Sequence, residues 1–155
     1  MRKRSKYKPR QVLANPVQWV LSGFSPMRSD PKALDLKIKN HHALFDMTSG
    51  QGNRMSFDLL VAAMNMAEAL MLVNPTKLGG HLWDEIHKAQ DALHAMGKRS
   101  LAKDKFLFTG PELQAMNTGM EIHDQQLDTC NLQELDEALE LVYKVIKHGK
   151  ARTVA

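Results

Sequence analysis

Apolar residues recur along most of this chain at intervals of three and four, the spacing that lines one face of an α-helix. The clearest stripe is Leu82, Ile86, Ala89, Leu93 and Met96, which predicts a helix over about 81–97. Leu113, Met116, Met120, His123 and Leu127 predict another. Leu135, Leu139, Val142 and Ile146 predict a last one that ends at His148-Gly149. Phe57, Leu60, Val61, Met64, Ala67 and Met71 share one side of a helix from Arg54 to Val73. Leu34, Ile38, His41 or His42, and Phe45 mark one more, running toward Met47.

The residues between the stripes supply starts and stops. Asn15-Pro16 and Asp30-Pro31 each read as an N-cap with proline in the first turn, opening a short helix that ends near Gly23 and the longer one through Phe45. Gly50 and Gly52 close the second of these, and Asn74-Pro75 ends the Arg54–Val73 helix. Thr109 with Glu112, and Asn131 with Glu134, have the spacing of capping boxes. The short stretch from Asp128 to Asn131 predicts an antiparallel hairpin of the last two helices. Lys98–Phe108 reads as a basic loop in which Phe106-Leu107-Phe108 forms one extended piece with no partner strand. No strand alternation and no internal repeat is present. The expected fold is all-α: one bundle of about five or six helices over 15–149, a basic, flexible arm at 1–14 and a tail at 150–155.

Charge changes this picture at one end. The chain has 155 residues, 21 Lys and Arg, and 17 Asp and Glu. Residues 1–29 hold seven of the cations and no acid, and the remainder holds 14 cations against 17 acids. Arg2, Lys3, Arg4, Lys6, Lys8 and Arg10 all fall within the first ten residues. A basic arm on a slightly acidic body points to a partner with negative surface, nucleic acid or a nucleoprotein machine. The six cations would neutralise phosphates with a steep salt dependence, and Tyr7 would stack on a base. Lys98, Arg99, Lys103 and Lys105 form a second basic set that extends the same surface if it lies on the arm's side. No recognition helix stands out, so sequence-specific DNA reading is not supported.

Candidate chemistry is weaker. Asp84, His87, Asp91 and His94 lie on one face of the predicted 81–97 helix, at a spacing that suits a divalent metal. That face lies opposite the apolar stripe, and a solvated face of Asp–His pairs is the preferred reading. His123 occupies a stripe position and reads as a hydrogen-bonded core residue. Glu68 interrupts the most apolar helix and is expected to face outward; a meeting with His123 would make an acid–base pair. His42 and Asp46 sit one turn apart, read as helix surface with one histidine ring turned inward. Gly50-Gln51-Gly52 lacks the lysine and the preceding strand of a phosphate loop. Cys130, the only cysteine, has no neighbouring cation to activate it and excludes an internal disulfide. The expectation is a protein that is not an enzyme, with no catalytic residue, no metal site and no cofactor. The longest apolar run, Leu59–Val73, is broken by Asn65 and Glu68 and is short of a span, so no membrane partner is expected.

The opening Arg2-Lys3-Arg4-Ser5-Lys6-Tyr7-Lys8-Pro9, the Leu36–His41 segment, the Phe108–Leu113 segment and the Gly149–Arg152 ending resemble a family of small helical proteins encoded by bacteriophages and prophages of Gram-negative bacteria. The resemblance covers most of the chain and implies a phage accessory or regulatory protein in the host cytoplasm. It carries over no catalytic or binding residue. Two functional expectations follow. The first is a non-enzymatic phage regulator whose arm contacts nucleic acid or a host nucleoprotein machine such as transcription apparatus. The second is a phage-encoded inhibitor of a host protein, such as a defence component, binding through a helical face. That face would leave Met64, Met66, Met71, Met116 or Met120 partly exposed. Partner identity and oligomeric state are left open by the sequence.

Overall fold

A computed structural model of the chain describes residues 30–148. The arm residues Arg2, Lys3, Arg4, Lys6, Tyr7, Lys8 and Arg10, the helix expected after Asn15 and the tail at 150–155 lie outside them. The described residues form a single all-α domain. Its helices are α1 (Pro31–Ser49), α2 (Arg54–Val73), α3 (Trp83–Lys103), α4 (Gly110–Thr129) and α5 (Leu132–Lys147), with a single 3₁₀ turn, Gly80–Leu82, before α3.

Local chemistry sets most of the boundaries. Asp30 accepts a hydrogen bond from the Lys32 amide and Pro31 follows it, so α1 starts where the cap is. Gly50 ends α1 at φ 82°, a conformation an L side chain resists. Thr109/Glu112 and Asn131/Glu134 both close as reciprocal capping boxes at the starts of α4 and α5.

The central element is α2, the most apolar helix, and all four others pack against it. It has the length and the mean hydropathy, 1.6, of a membrane span. Here its apolar residues serve packing: Leu60, Met64, Ala67, Leu70 and Met71 are all buried. The main core joins them to Ala43 and Met47 of α1, Ile86, Ala89, Leu93 and Met96 of α3, and Met116 and Met120 of α4. A smaller core gathers Ala33, Ala69, Leu70, Leu78, Cys130 and Ala138, where the start of α1 and the middle of α5 meet the far end of α2. Burial pushes the Cys130 thiol up to about 11, so it stays protonated at neutral pH.

The α3–α4 pair is the most extensive helix contact and it closes on Gly119. A Cβ there would stand 2.8 Å from the Ala89 Cβ and 2.8 Å from the Met64 sulfur. The methionine end can swing aside, but the alanine methyl is fixed to its backbone. Gly119→Ala is expected to cost about 1–3 kcal/mol by overpacking, read as a lower urea midpoint at unchanged slope. A midpoint equal to the parent's would show that α4 shifts freely against α3.

Four expectations are corrected. The helix drawn as 81–97 begins at Trp83 and continues to Lys103, so the expected basic loop shrinks to 104–109. Gly97 is buried within it, a packing position and not a stop, and the turn of chain comes at Asp104, whose φ is 51°. The stripe Leu34, Ile38 and Phe45 is exposed, and α1 buries Ala33, Asn40, Ala43, Leu44 and Met47 instead. Small side chains let α1 lie close to α2, and polar ties to α4 fix its rotation: Lys37 to Asp128, and His41 Nε2 to Asp124 at 2.6 Å. His41 and His42 are both exposed, with His42 Nδ1 3.3 Å from Asp46, so neither ring turns inward. Finally, α4 and α5 do not lie side by side as a hairpin. Buried Cys130, in extended conformation, turns the chain so that α5 packs chiefly along α2. Glu134 holds it there, accepting from Asn74 Nδ2 at 3.1 Å and pairing with Lys77 at 2.8 Å. Burial opposes ionisation of Glu134, but Lys77, the Asn131 amide and Asn74 hold its carboxyl below the usual range.

Candidate functional site: an amphipathic groove between α3 and α5

Because α5 rests on α2 away from α4, a groove of about 470 Å³ opens between α3 and α5. Its volume falls in the range of ligand and peptide-anchor pockets. The floor is α2, through Val61, Asn65, Glu68, Ala69 and Leu72. One wall is apolar: Leu141, Val142, Val145 and Ile146 of α5. The other is polar: His87, Gln90, Asp91 and His94 of α3. Leu72, Val145 and Ile146 are 56%, 44% and 57% exposed, an open apolar surface.

The polar wall is ordered from within. Glu68, half-buried on the floor, accepts from Gln90 Nε2 at 2.8 Å and lies 3.1 Å from His87 Nε2. Asn65 is 3.4 Å from the same Gln90 nitrogen. The His87 ring also lies against Trp83, with centroids 4.6 Å apart. Glu68 thus faces the open groove, its side chain 32% exposed, and does not meet His123. Its partner is the histidine of the expected metal face.

That face divides. His87, Asp91 and His94 line the groove, whereas Asp84 is exposed and outside it. Among the described residues no three His, Cys, Asp or Glu side chains converge as a metal would require. No Ser, Thr, Cys or Lys stands among the described groove residues; the lining offers apolar contact, hydrogen bonds, and the carboxylates and imidazoles of Glu68, Asp91, His87 and His94.

His123 is a core residue, fully buried beside Gln126. Of the methionines, Met64, Met71, Met116 and Met120 are buried and Met66 is half-buried, so they make no exposed docking face. The second basic set is split. Lys98 and Lys103 stand exposed on the last turns of α3, with Lys105 just beyond. Arg99 is committed: its guanidinium grips Glu112 at 2.7 and 2.5 Å and donates to the Leu107 carbonyl at 3.1 Å. The Arg99 fork lowers the Glu112 carboxyl and burial opposes it, while the Thr109 amide lowers it further. Across residues 30–148 there are 12 Lys and Arg against 17 Asp and Glu, a net acidic body.

The groove was not foreseen from the sequence. Its one signal is Glu68, a carboxylate interrupting the most apolar helix. Comparison with protein families, curated proteins and solved structures found no match to this chain.

Proposed function

We propose that this protein is a non-enzymatic binding protein whose groove between α3 and α5 seats an apolar segment of a protein partner. The observation that carries the reading is the pairing of an exposed apolar surface, Leu72 of the floor with Val145 and Ile146 of the α5 wall, with a polar wall pre-ordered by Glu68, His87 and Gln90. Such a cleft suits an amphipathic helix laid along it, apolar side to α5 and hydrogen-bonding side to α3. The resemblance to phage proteins supplies the setting: a phage-encoded inhibitor of a host protein in the bacterial cytoplasm.

A second reading is favoured by the charge segregation. The cations of residues 1–10 precede an acidic body, and Lys98, Lys103 and Lys105 form no ion pair with a carboxylate among the described residues. In that reading the arm contacts nucleic acid or a host nucleoprotein machine, with Lys98, Lys103 and Lys105 beside it.

One set of variants separates the two. A photo-crosslinking side chain at Val145 is expected to trap a protein in host cells, and the same probe at exposed Met55, outside the groove, is not. The double substitution Leu72→Glu and Ile146→Glu should abolish the adduct without unfolding the domain, because both side chains are already more than half exposed. Equal trapping at both positions, or none at Val145, sinks the groove reading. Binding to nucleic acid that weakens steeply with salt and vanishes on removal of residues 2–10 puts the arm reading first.

A further inference from the structure

We infer that the groove has an internal occupant: residues 17–24 of the same chain dock along it and compete with any partner. The inference concerns regulation of the groove used by the proposed function, and rests on that groove being a docking cleft.

Three observations carry it. The first is pattern. Val17, Val20, Leu21 and Phe24 fall at i, i+3, i+4 and i+7, the anchor spacing of a helix that lies in an apolar groove. Gly23 and Pro26 limit such a segment to about two turns, a length suited to a cleft of about 470 Å³.

The second is position. Asp30 caps α1, and three residues later Ala33 packs in the small core with Ala69 and Ala138. Ala69 also lines the groove floor, and Leu141 and Val142 border both the small core and the groove. The start of α1 therefore packs into the small core that borders the cleft. Residues 25–29 span up to about 17 Å when extended, enough to turn back into it.

The third is charge. Residues 1–29 carry seven cations and no acid, while residues 30–148 have an excess of five acids. Glu68 and Asp91 lie in the groove itself, and Asp84 lies on the same helix as its polar wall. An amphipathic segment at 17–24 with six cations upstream matches an apolar wall set in an acidic body.

A partner must then displace the segment, so the groove's affinity for outside ligands is set partly by its own chain. Displacement also frees the basic arm.

Phe24, one of the four anchors, gives the reporter position. Trp19 lies about 200° around a helix from Val17, on the side away from the anchors, so it is removed as Trp19→Phe. Trp83 is the other tryptophan, so subtracting the emission of Trp19→Phe from that of Trp19→Phe with Phe24→Trp isolates position 24. The expected emission from position 24 is blue-shifted and poorly quenched by acrylamide. Leu72→Glu with Ile146→Glu should shift it to the red and raise quenching several-fold, with helicity unchanged and the protein monomeric throughout. Solvent-like emission from position 24 with the groove intact overturns the inference, as does blue emission that the groove substitutions leave unmoved. Blue emission that grows with concentration, together with a dimer in sedimentation, gives the groove to a second copy and overturns it as well. Trapping of a partner at Val145 beside solvent-like emission from position 24 sinks this inference alone. Protected emission from position 24 without any trapped partner sinks the proposed function alone.

Discussion

Gln126→Ala is expected to lower stability by about 3–5 kcal/mol, as much as truncating a large core side chain. The side chain is buried on α4 and ties together three elements. Its amide nitrogen donates to the Leu78 carbonyl at 2.9 Å, in the turn before α3, and to the Ala67 carbonyl of α2 at 3.0 Å. Its oxygen faces His123 Nδ1 at 3.3 Å. Alanine leaves the Leu78 carbonyl and the His123 ring without these partners in a site closed to solvent. Each orphaned group costs about 1–3 kcal/mol, and the vacated volume adds to it. Ala67 loses less, since a helical carbonyl has a second lone pair and a backbone donor. For a domain of this size the midpoint of thermal unfolding should fall by roughly 10 °C. A loss under about 1 kcal/mol in urea would mean that water or a shifted donor satisfies these groups.

What the sequence revealed and what it hid divide along the range of the interactions. The caps at Asp30, Thr109 and Asn131 are decided within four residues, and the helices they open begin where expected. The central helix Arg54–Val73 was legible from its stripe and from Asn74-Pro75. The errors come from contacts far apart in sequence. Nothing near Leu34, Ile38 and Phe45 shows that Asp124 and Asp128 rotate α1 to expose them. Nothing near Gly97 shows that the helix runs on through it to Lys103. The groove depends on one non-local fact, that Glu134 ties α5 to Asn74 and Lys77 beside α2. With α5 placed against α4, the polar face of α3 reads as solvated. With α5 over α2, the same His87, Asp91 and His94 become a wall. Glu68 was conspicuous in sequence, but its partner follows only from the α2–α3 packing.

His123 makes a second large prediction: stability should fall as pH drops from about 6.5 to about 4, by about 3 kcal/mol in full from this one group. Desolvation drives its pKa from the usual 6.5 to about 4; the Gln126 hydrogen bond and the Asp124 charge oppose this, and Lys37 and His41 add to it. Gln126 Nε2 donates to two carbonyls, so its oxygen must accept from Nδ1–H, and the neutral ring leaves Nε2 as an acceptor. Nε2 has no hydrogen-bond partner among the described residues, which leaves a proton there without compensation. Between the two pKa values the unfolded chain binds a proton that the folded chain refuses, so acid pulls toward unfolding. The stabilising contribution is complete above about pH 6.5 and gone below about pH 4. Carboxylates that lose their ion pairs in acid contribute their own slope, so the measurement is a difference. Urea unfolding of the parent and of His123→Leu at pH 7 and pH 4.5 isolates the ring. The variant is less stable at pH 7, because Gln126 loses its donor, but its decline toward pH 4.5 should be shallower by about 2–3 kcal/mol. Parallel declines would mean that the ring takes up its proton without unfolding the core, through a partner or a water that reaches Nε2.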